Sequence, residues 1–579
     1  MPRSRKRKPG NGATPPVSSL QQILKAFEQR DFATVVEQCR RMSAREPRNV
    51  DVLNLLGGAY IEQGETAAAI DVLTRAVSLK PGDAMIESNL GSVLATAKRF
   101  GDAENHLNSA LAQAPDDIDI LANLARVQFE LGQFDKASAT FASALALAPN
   151  HIGILTDAIR AAVLGGDTAT AKRYAAHAVA LDVHDAAAQR QLTRVLYEHN
   201  LYTESLAAAG NALTHNEAHG GLHIDKGVVL SRLERHDEAL ASFEEALRHD
   251  PDNADATMWN SVLNLSLGRF SAGWPAYRAR QSMRSAVAPN SLAASGRGYH
   301  DTLLPADLSG ATILVDRDQG LGDELFFLRF LKTLKDRGAI VTYRPDDRLG
   351  AMLRRSDIAD TVTADPGPSG SYDYFISVCD LPWLTGAGRE ESTLPSIALS
   401  PFPDRTAKLS ARLAAFGDGP YVGVTWRAGT VGNNRFLHKE VPAERLARAV
   451  AGTDGTIVVL QRNPADGEVE AFSRTVGRKV LDLSNLNADL EEMLGLCALL
   501  DVYVGVSNTN IHLRESCGLP SHVMVPYPPE FRWMAAGHES PWFPVSNLYR
   551  QSPDADWEAA MSRLADAFGT TETHFRVAV

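Results

Sequence analysis

Residues 50–81 read VDVLNLLGGAYIEQGETAAAIDVLTRAVSLKP. Leu56, Gly57 and Tyr60 fall in a first helix, Ala69, Leu73 and Ala76 in a second, and Pro81 closes the unit. A step of 34 residues gives Leu90, Gly91, Leu94, Ala103, Leu107, Ala110 and Pro115. A second step of 34 gives Leu124, Ala125, Ala137, Phe141, Ala144 and Pro149. Three matches in phase mark an internal repeat. Small residues at the glycine and alanine positions let two antiparallel helices approach closely, and large apolar residues fill the gaps between neighbouring pairs. Proline ends the second helix because it cannot continue the hydrogen-bond ladder.

Further along, the residue pattern weakens. The unit from about 152 keeps Ala171 and Ala178 but has Val183 where the proline belongs. The next keeps Ala212, and the one from about 220 recovers Gly227, Ala239, Phe243, Ala246 and Pro251. A last unit with Gly268, Trp274 and Tyr277 departs from the pattern as a terminal cap does, and residues 18–48 form an atypical first unit. The count is roughly seven units. This segment, 18–282, resembles the tetratricopeptide-repeat family. The resemblance implies an α-solenoid whose groove receives a peptide or a partner's helix. The competing reading has the repeats form a homodimer or brace the rest of the chain.

With 579 residues, the chain is long enough for two to four domains. A formal net charge of −12 argues against nucleic acid as the main partner. Cys39, Cys379, Cys497 and Cys517 lie far apart with no CxxC pair, which argues against a disulfide framework or a zinc site and fits a reducing compartment; no metal ligand is expected. The basic start, residues 1–17, has no apolar segment behind it and reads as a disordered tail. No run of 18 apolar residues predicts a membrane span, so the expected location is cytoplasmic.

Residues 283–309 lose the periodicity and are rich in Ser, Ala, Pro and Gly, which reads as a linker. Short apolar runs then alternate with helical patterns: ATILVDRD, AIVTYR and YDYFISV, a break near 401–418, then YVGVTWR, GTIVVLQ, KVLDL, DVYVGV and SHVMVPY. This alternation predicts parallel sheets in two α/β lobes, 310–408 and 409–579. Open parallel sheets bind ligands beyond the carboxyl ends of their strands, so the loops after strands are the place to look.

Three such loops are unusual. Gln319-Gly320-Leu321-Gly322-Asp323-Glu324 follows a strand and opens a helix. Its glycines permit close backbone approach to a ligand; Asp323 reads either as a helix cap or as a general base. Thr425-Trp426-Arg427-Ala428-Gly429-Thr430 leads toward Arg435 and Lys439, and Arg427, Thr430 and Lys439 suit phosphate charge. Ser507-Asn508-Thr509-Asn510-Ile511-His512 follows a strand and opens a helix, as an anion site or an ordinary N-cap does. The aromatics of PPEFRWM (528–534) and PWFP (541–544) read as a stacking surface for a base or sugar, or as packing between lobes.

QGLGDE, WRAGT, HKEVP, SNTNIH and PPEFRWM…SPWFP together resemble the domain of ADP-heptose:lipopolysaccharide heptosyltransferases over about residues 310–555. The resemblance implies a GT-B fold of two Rossmann-like lobes and an inverting, metal-independent glycosyltransferase. The nucleotide-sugar donor is a co-substrate and no cofactor is needed. It makes Asp323 the base, Lys439 and Thr430 phosphate ligands, and His512 the histidine of the donor loop. Gly320, Gly322, Arg427, Ser507, Asn508, Thr509 and Asn510 complete the expected donor site. Where the family's loop carries Asp-Thr-Ala, this chain has Ser507-Asn508-Thr509. Loss of that aspartate points away from ADP-heptose and toward an acidic sugar such as a nonulosonic acid. Repeats ahead of a GT-B domain also resemble, in domain order, protein O-glycosyltransferases, including those that modify flagellin. Alternatives are a lipopolysaccharide or glycan transferase, and a repeat adaptor without catalysis.

Overall fold

The computed structural model describes residues 20–280, 300–386, 394–428 and 439–569. The predicted tail 1–17 and most of the predicted linker lie outside these residues. The chain forms two compact units, Met1–Glu217 and Ala218–Val579.

The first unit contains six antiparallel helical hairpins, from Leu20–Glu28 with Phe32–Arg45 to Ala186–Glu198 with Tyr202–His215. The small-residue rule holds in the hairpins: a Cβ on Gly57 would lie 2.5 Å from Leu73 Cγ, so only glycine lets those helices close. First helices start at Val50, Ala84, Ile118, Ile152 and Ala186, a constant step of 34 residues. The spacing therefore persists where the residue pattern weakens. Asp83, Asp117 and Asp185 each accept a hydrogen bond from a backbone N–H of the helix that follows.

The second unit begins with two more hairpins, Gly220–Arg232 with His236–His249 and Ala254–Ser266 with Phe270–Tyr277. Among the described residues there are thus eight hairpins, one more than the residue pattern suggested. The last one belongs to the α/β core. Trp274 lies 5.5 Å from the Phe531 ring and 5.9 Å from the Phe327 ring, and Phe270 lies 4.9 Å from Trp542. It is not a polar cap.

Two parallel sheets follow. The first has the order β3-β2-β1-β4, with β1 Thr312–Asp316, β2 Ile340–Arg344, β3 Thr361–Val362 and β4 Tyr374–Ser377. Thr312 pairs with Ile340 across β1 and β2. The second has the order β10-β9-β8-β5-β6-β7, with β5 Tyr421–Thr425, β6 Thr456–Val459, β7 Leu481–Asp482, β8 Val502–Val506, β9 His522–Val525 and β10 Asn547–Arg550. All five residues of β8 are buried, as expected of a central strand covered on both faces. The expected α/β class is present, together with two strands, β3 and β10, that the sequence pattern did not reveal.

Two boundaries differ from expectation. The break near 401–418 contains a helix, Pro403–Phe416, whose first residue is a proline and whose Leu409 and Leu413 are buried. A lobe boundary at 408/409 would cut it in two. Residues 300–309 are not a free connector: Leu304 N–H donates to the Leu384 carbonyl at 2.9 Å and Leu308 N–H to that of Arg337 at 2.8 Å. Among the described residues, no helix is long and apolar enough to cross a membrane.

Candidate functional site

The carboxyl end of β1 runs into Arg317–Gly320, and a helix starts at Leu321. Arg280, at the end of the last hairpin, fixes this loop. Its buried guanidinium pairs with Asp318 at 3.0 Å and Asp380 at 2.7 Å and donates to Ser377 Oγ at 3.1 Å. Gln319 adopts a left-handed backbone, φ 56°, a conformation that costs a non-glycine residue about 1 kcal/mol. Its side-chain amide donates to the Tyr277 hydroxyl at 3.1 Å, which holds that conformation. The hairpins thus shape the loop that presents Asp323.

Asp323 does not cap its helix. Gly320 is the N-cap and supplies no side chain, while Asp323 Oδ1 accepts from Arg532 Nη2, in the segment after β9. Gly322 permits this approach, since a Cβ there would lie 3.1 Å from His512 Cδ2. The loop that holds Asp323 thus meets His512 and Arg532.

Arg532 is the centre of the cluster. Besides Asp323, its Nη1 faces His512 Nε2 at 3.3 Å and its Nε lies 3.9 Å from Glu530 Oε2. Glu530 also pairs with Lys439 Nζ, accepts from Ser507 Oγ and accepts from Trp533 Nε1 at 3.2 Å. Burial works against the charge of Glu530, but Lys439 and Arg532 outweigh it and hold the carboxyl down at about 2. Side-chain exposure falls from 27% at Asp323 and 24% at Lys439 to 11% at Glu530 and 6% at Arg532. Asp323 and Lys439 are therefore the members that reach solvent.

His512 is buried; that burial, with Arg532 and Arg329 nearby, pushes its pKa well below the ordinary imidazole value. A guanidinium has no acceptor, so the nitrogen facing it carries no proton. His512 is thus a neutral acceptor toward Arg532, and it adds no positive charge to the cluster.

The remaining expected residues divide. Ser507 joins the cluster through Glu530. Asn508 is the N-cap of Thr509–Ser516; it accepts from Ile511 N–H at 3.2 Å and donates to Thr425 Oγ1 at 2.9 Å. Of the two readings of this loop, the cap belongs to Asn508. Asn510 sits 3.5 Å from Asn487 Oδ1. Arg427 points elsewhere: its guanidinium pairs with Glu468, at 2.8 Å through Nη2, and donates to the Asn463 carbonyl at 3.0 Å. Gly429, Thr430 and Arg435 lie outside the described residues. The aromatics Phe531, Trp533, Trp542 and Phe543 are buried at 5% exposure or less, which makes them packing and not a stacking surface.

Sequence reading missed Arg532, Glu530 and Arg280. Glu530 places a carboxylate against Ser507 from another segment, in a loop whose own residues 507–512 carry none. The signal was in PPEFRWM, where an Arg and a Glu stand among residues that pack.

Beside Asp323, Glu324 turns inward. Its Oε1 accepts from the Tyr343 hydroxyl at 2.7 Å and from Asp346 N–H at 3.0 Å. Burial raises its carboxyl from 4.5 to about 7. Between those values the folded chain keeps a proton that the unfolded chain has lost, so this group's contribution to stability falls as pH rises through the window. Glu324→Gln preserves both bonds, since both end on one oxygen. Thermal unfolding is expected to show the variant a few °C more stable than wild type near about pH 8, the gain shrinking toward about pH 5. A difference constant with pH would contradict this.

Tetratricopeptide-repeat family models match residues 26–88, 94–156 and 224–286. These hairpins are tetratricopeptide repeats. The chain is similar to Protein FlbA of Caulobacter vibrioides, 27% identical over 355 residues, which is 57% of this chain and 58% of that protein. It therefore spans less than two thirds of that relative's length. Among solved structures, MamA is 24% identical, over 28% of this chain and 87% of MamA, with a TM-score of 0.26. A repeat protein from Parabacteroides merdae is 15% identical, over 42% of this chain and 96% of that one, with a TM-score of 0.32. YrrB, described as a repeat protein with an unusual peptide-binding site, is 19% identical, over 32% of this chain and 96% of YrrB, with a TM-score of 0.26.

Proposed function

We propose that this chain is a glycosyltransferase of the GT-B type that moves a sugar from a nucleotide donor to a serine or threonine of a protein held by the repeats. The observation that carries the reading is the meeting of Asp323, from one parallel sheet, with Lys439, Ser507, Glu530 and Arg532, from the other. A cleft between the carboxyl ends of two such sheets is where a donor and an acceptor are brought face to face.

In this reading the acceptor hydroxyl gives its proton to Asp323 as its oxygen attacks the anomeric carbon. The bond from that carbon to the donor phosphate breaks, and the electron pair leaves with the nucleotide. Lys439, which reaches solvent, receives the growing phosphate charge. Arg532 holds Asp323 in place through one carboxylate oxygen, Oδ1. An in-line displacement inverts the anomeric centre.

Glu530 refines the choice of donor. It neutralises Lys439 in this arrangement, and an acidic sugar or a phosphate competes for the same cations. Because Glu530 restores a carboxylate at Ser507, the missing loop aspartate does not by itself favour an acidic sugar; such a donor has to draw Lys439 away from Glu530. The test is direct: purified chain, nucleotide sugar and acceptor protein are incubated, and the acceptor's intact mass is read. Gain of one or more sugar masses supports the reading, and an unchanged mass across acidic and neutral donors removes it.

A further inference from the structure

In the first unit, the second helix of the fifth hairpin, Thr168–Ala180, ends one residue short of its equivalents such as Thr66–Leu79 and Phe134–Leu147. The proline found at Pro81, Pro115 and Pro149 is replaced by Val183, and the flanking residues are Asp182 and His184. Leu181 is extended, ψ 135°, and Val183 N–H donates to the Leu181 carbonyl at 3.1 Å, a tight turn centred on Asp182 where the other units have helix and proline. It brings Asp182 and His184 beside His215, at the end of Tyr202–His215.

The three side chains converge. His215 Nε2 lies 2.7 Å from Asp182 Oδ1, His184 Nε2 lies 3.8 Å from Asp182 Oδ2, and the imidazole rings are 4.2 Å apart. One ligand atom from each lies within 4.8 Å of the others. Bonds of about 2.0–2.2 Å to zinc require ligand atoms roughly 3–3.5 Å apart, which small side-chain rotations reach. The backbone beneath is already fixed. Asn211 donates to the Val179 carbonyl at 2.8 Å, and Asn216 to that of His184 at 3.3 Å. An open cavity of about 220 Å³, lined in part by Gln189, Asn211 and Thr214, adjoins Asp182 and His215 and has room for water on the remaining coordination positions.

We propose that Asp182, His184 and His215 form a binding site for a divalent transition metal of the zinc class. Two imidazoles and one carboxylate suit such an ion and not a hard cation such as magnesium. The bound ion staples the fifth hairpin to the sixth at the junction where the repeat's proline is missing.

The test uses the full chain without an affinity tag. Zn²⁺ is titrated against a competing chromophoric chelator, and Co²⁺ is added separately to read its visible absorption. Wild type is expected to take up one equivalent of Zn²⁺, to give a tetrahedral-type Co²⁺ spectrum and to unfold at a higher temperature with Zn²⁺ present. His184→Ala/His215→Ala is expected to weaken that uptake by at least about a hundredfold, beyond the cost of losing an outer-shell contact. These side chains are 71% and 33% exposed, so the variant should fold; circular dichroism checks it. Asp182→Asn, which keeps the side chain's shape, is expected to weaken binding as well. Absence of uptake by wild type overturns the proposal. So does undiminished uptake by the double variant, including uptake traced to the separate grouping of His223, Glu245 and His249.

Discussion

Asp323→Asn is expected to lower the turnover of sugar transfer by about a hundred- to ten-thousandfold, the range for loss of a general base, with binding of the acceptor protein unchanged. Asparagine is the informative replacement because its oxygen can still accept from Arg532 where Asp323 Oδ1 does. The guanidinium keeps its geometry and only the proton acceptor is lost. A structural role would show itself differently, as a lower melting temperature or weaker acceptor binding. Transfer kinetics with a calorimetric measurement of acceptor binding separate the two. Turnover close to wild type would remove Asp323 from the role of base.

The second large effect concerns the repeats. A chain starting at Ala218 is expected to bind the nucleotide sugar as the full chain does and to lose at least about a hundredfold in kcat/KM for the protein acceptor. That factor is about 3 kcal/mol, modest for loss of a whole recognition surface. The place of the cut matters. Truncation at 282, where the repeat pattern ends, would remove Phe270, Trp274 and Tyr277 from the core around Phe327, Phe531 and Trp542. Loss of one such aromatic costs about 3–5 kcal/mol, so that shorter chain should fail to fold and would say nothing about recognition. Cutting after Glu217 follows the division of the chain into compact units. Equal kcat/KM for the two chains would assign the repeats to a role other than acceptor capture.

The solenoid was legible because each unit repeats the same packing problem. Gly57 and Leu73, or Gly91 and Leu107, announce a close helix pair by type and spacing alone. The sheets were legible because fully buried strands such as VYVGV must be apolar throughout. The helix Pro403–Phe416 was not, since it buries only Leu409 and Leu413 in 14 residues and its opening prolines read as a break. Tyr277 kept the repeat's spacing, 34 residues after Phe243, and nothing local indicated that it and Trp274 would be surrounded by the α/β core.

At the site, the loops holding Asp323, Lys439 and His512 were visible because small polar residues interrupt apolar strands. Arg532 and Glu530 were hidden by their neighbours: Phe531 and Trp533 mark the segment as packing, and only the fold turns the charges between them toward Asp323 and Lys439. Arg427 shows the converse. A basic residue after a strand has the right place for a phosphate ligand, yet Glu468, 41 positions later, takes its guanidinium.

If the proposed transfer takes place, a protein leaves this chain carrying a sugar. Intact-mass spectrometry of proteins from cells with and without the gene tests it most directly, with flagellin as the first candidate. The acceptor is expected to be heavier by whole sugar residues when the wild-type gene is present, and unmodified with the gene absent or carrying Asp323→Asn. An acceptor pool of identical mass in all three strains would contradict the proposed transfer.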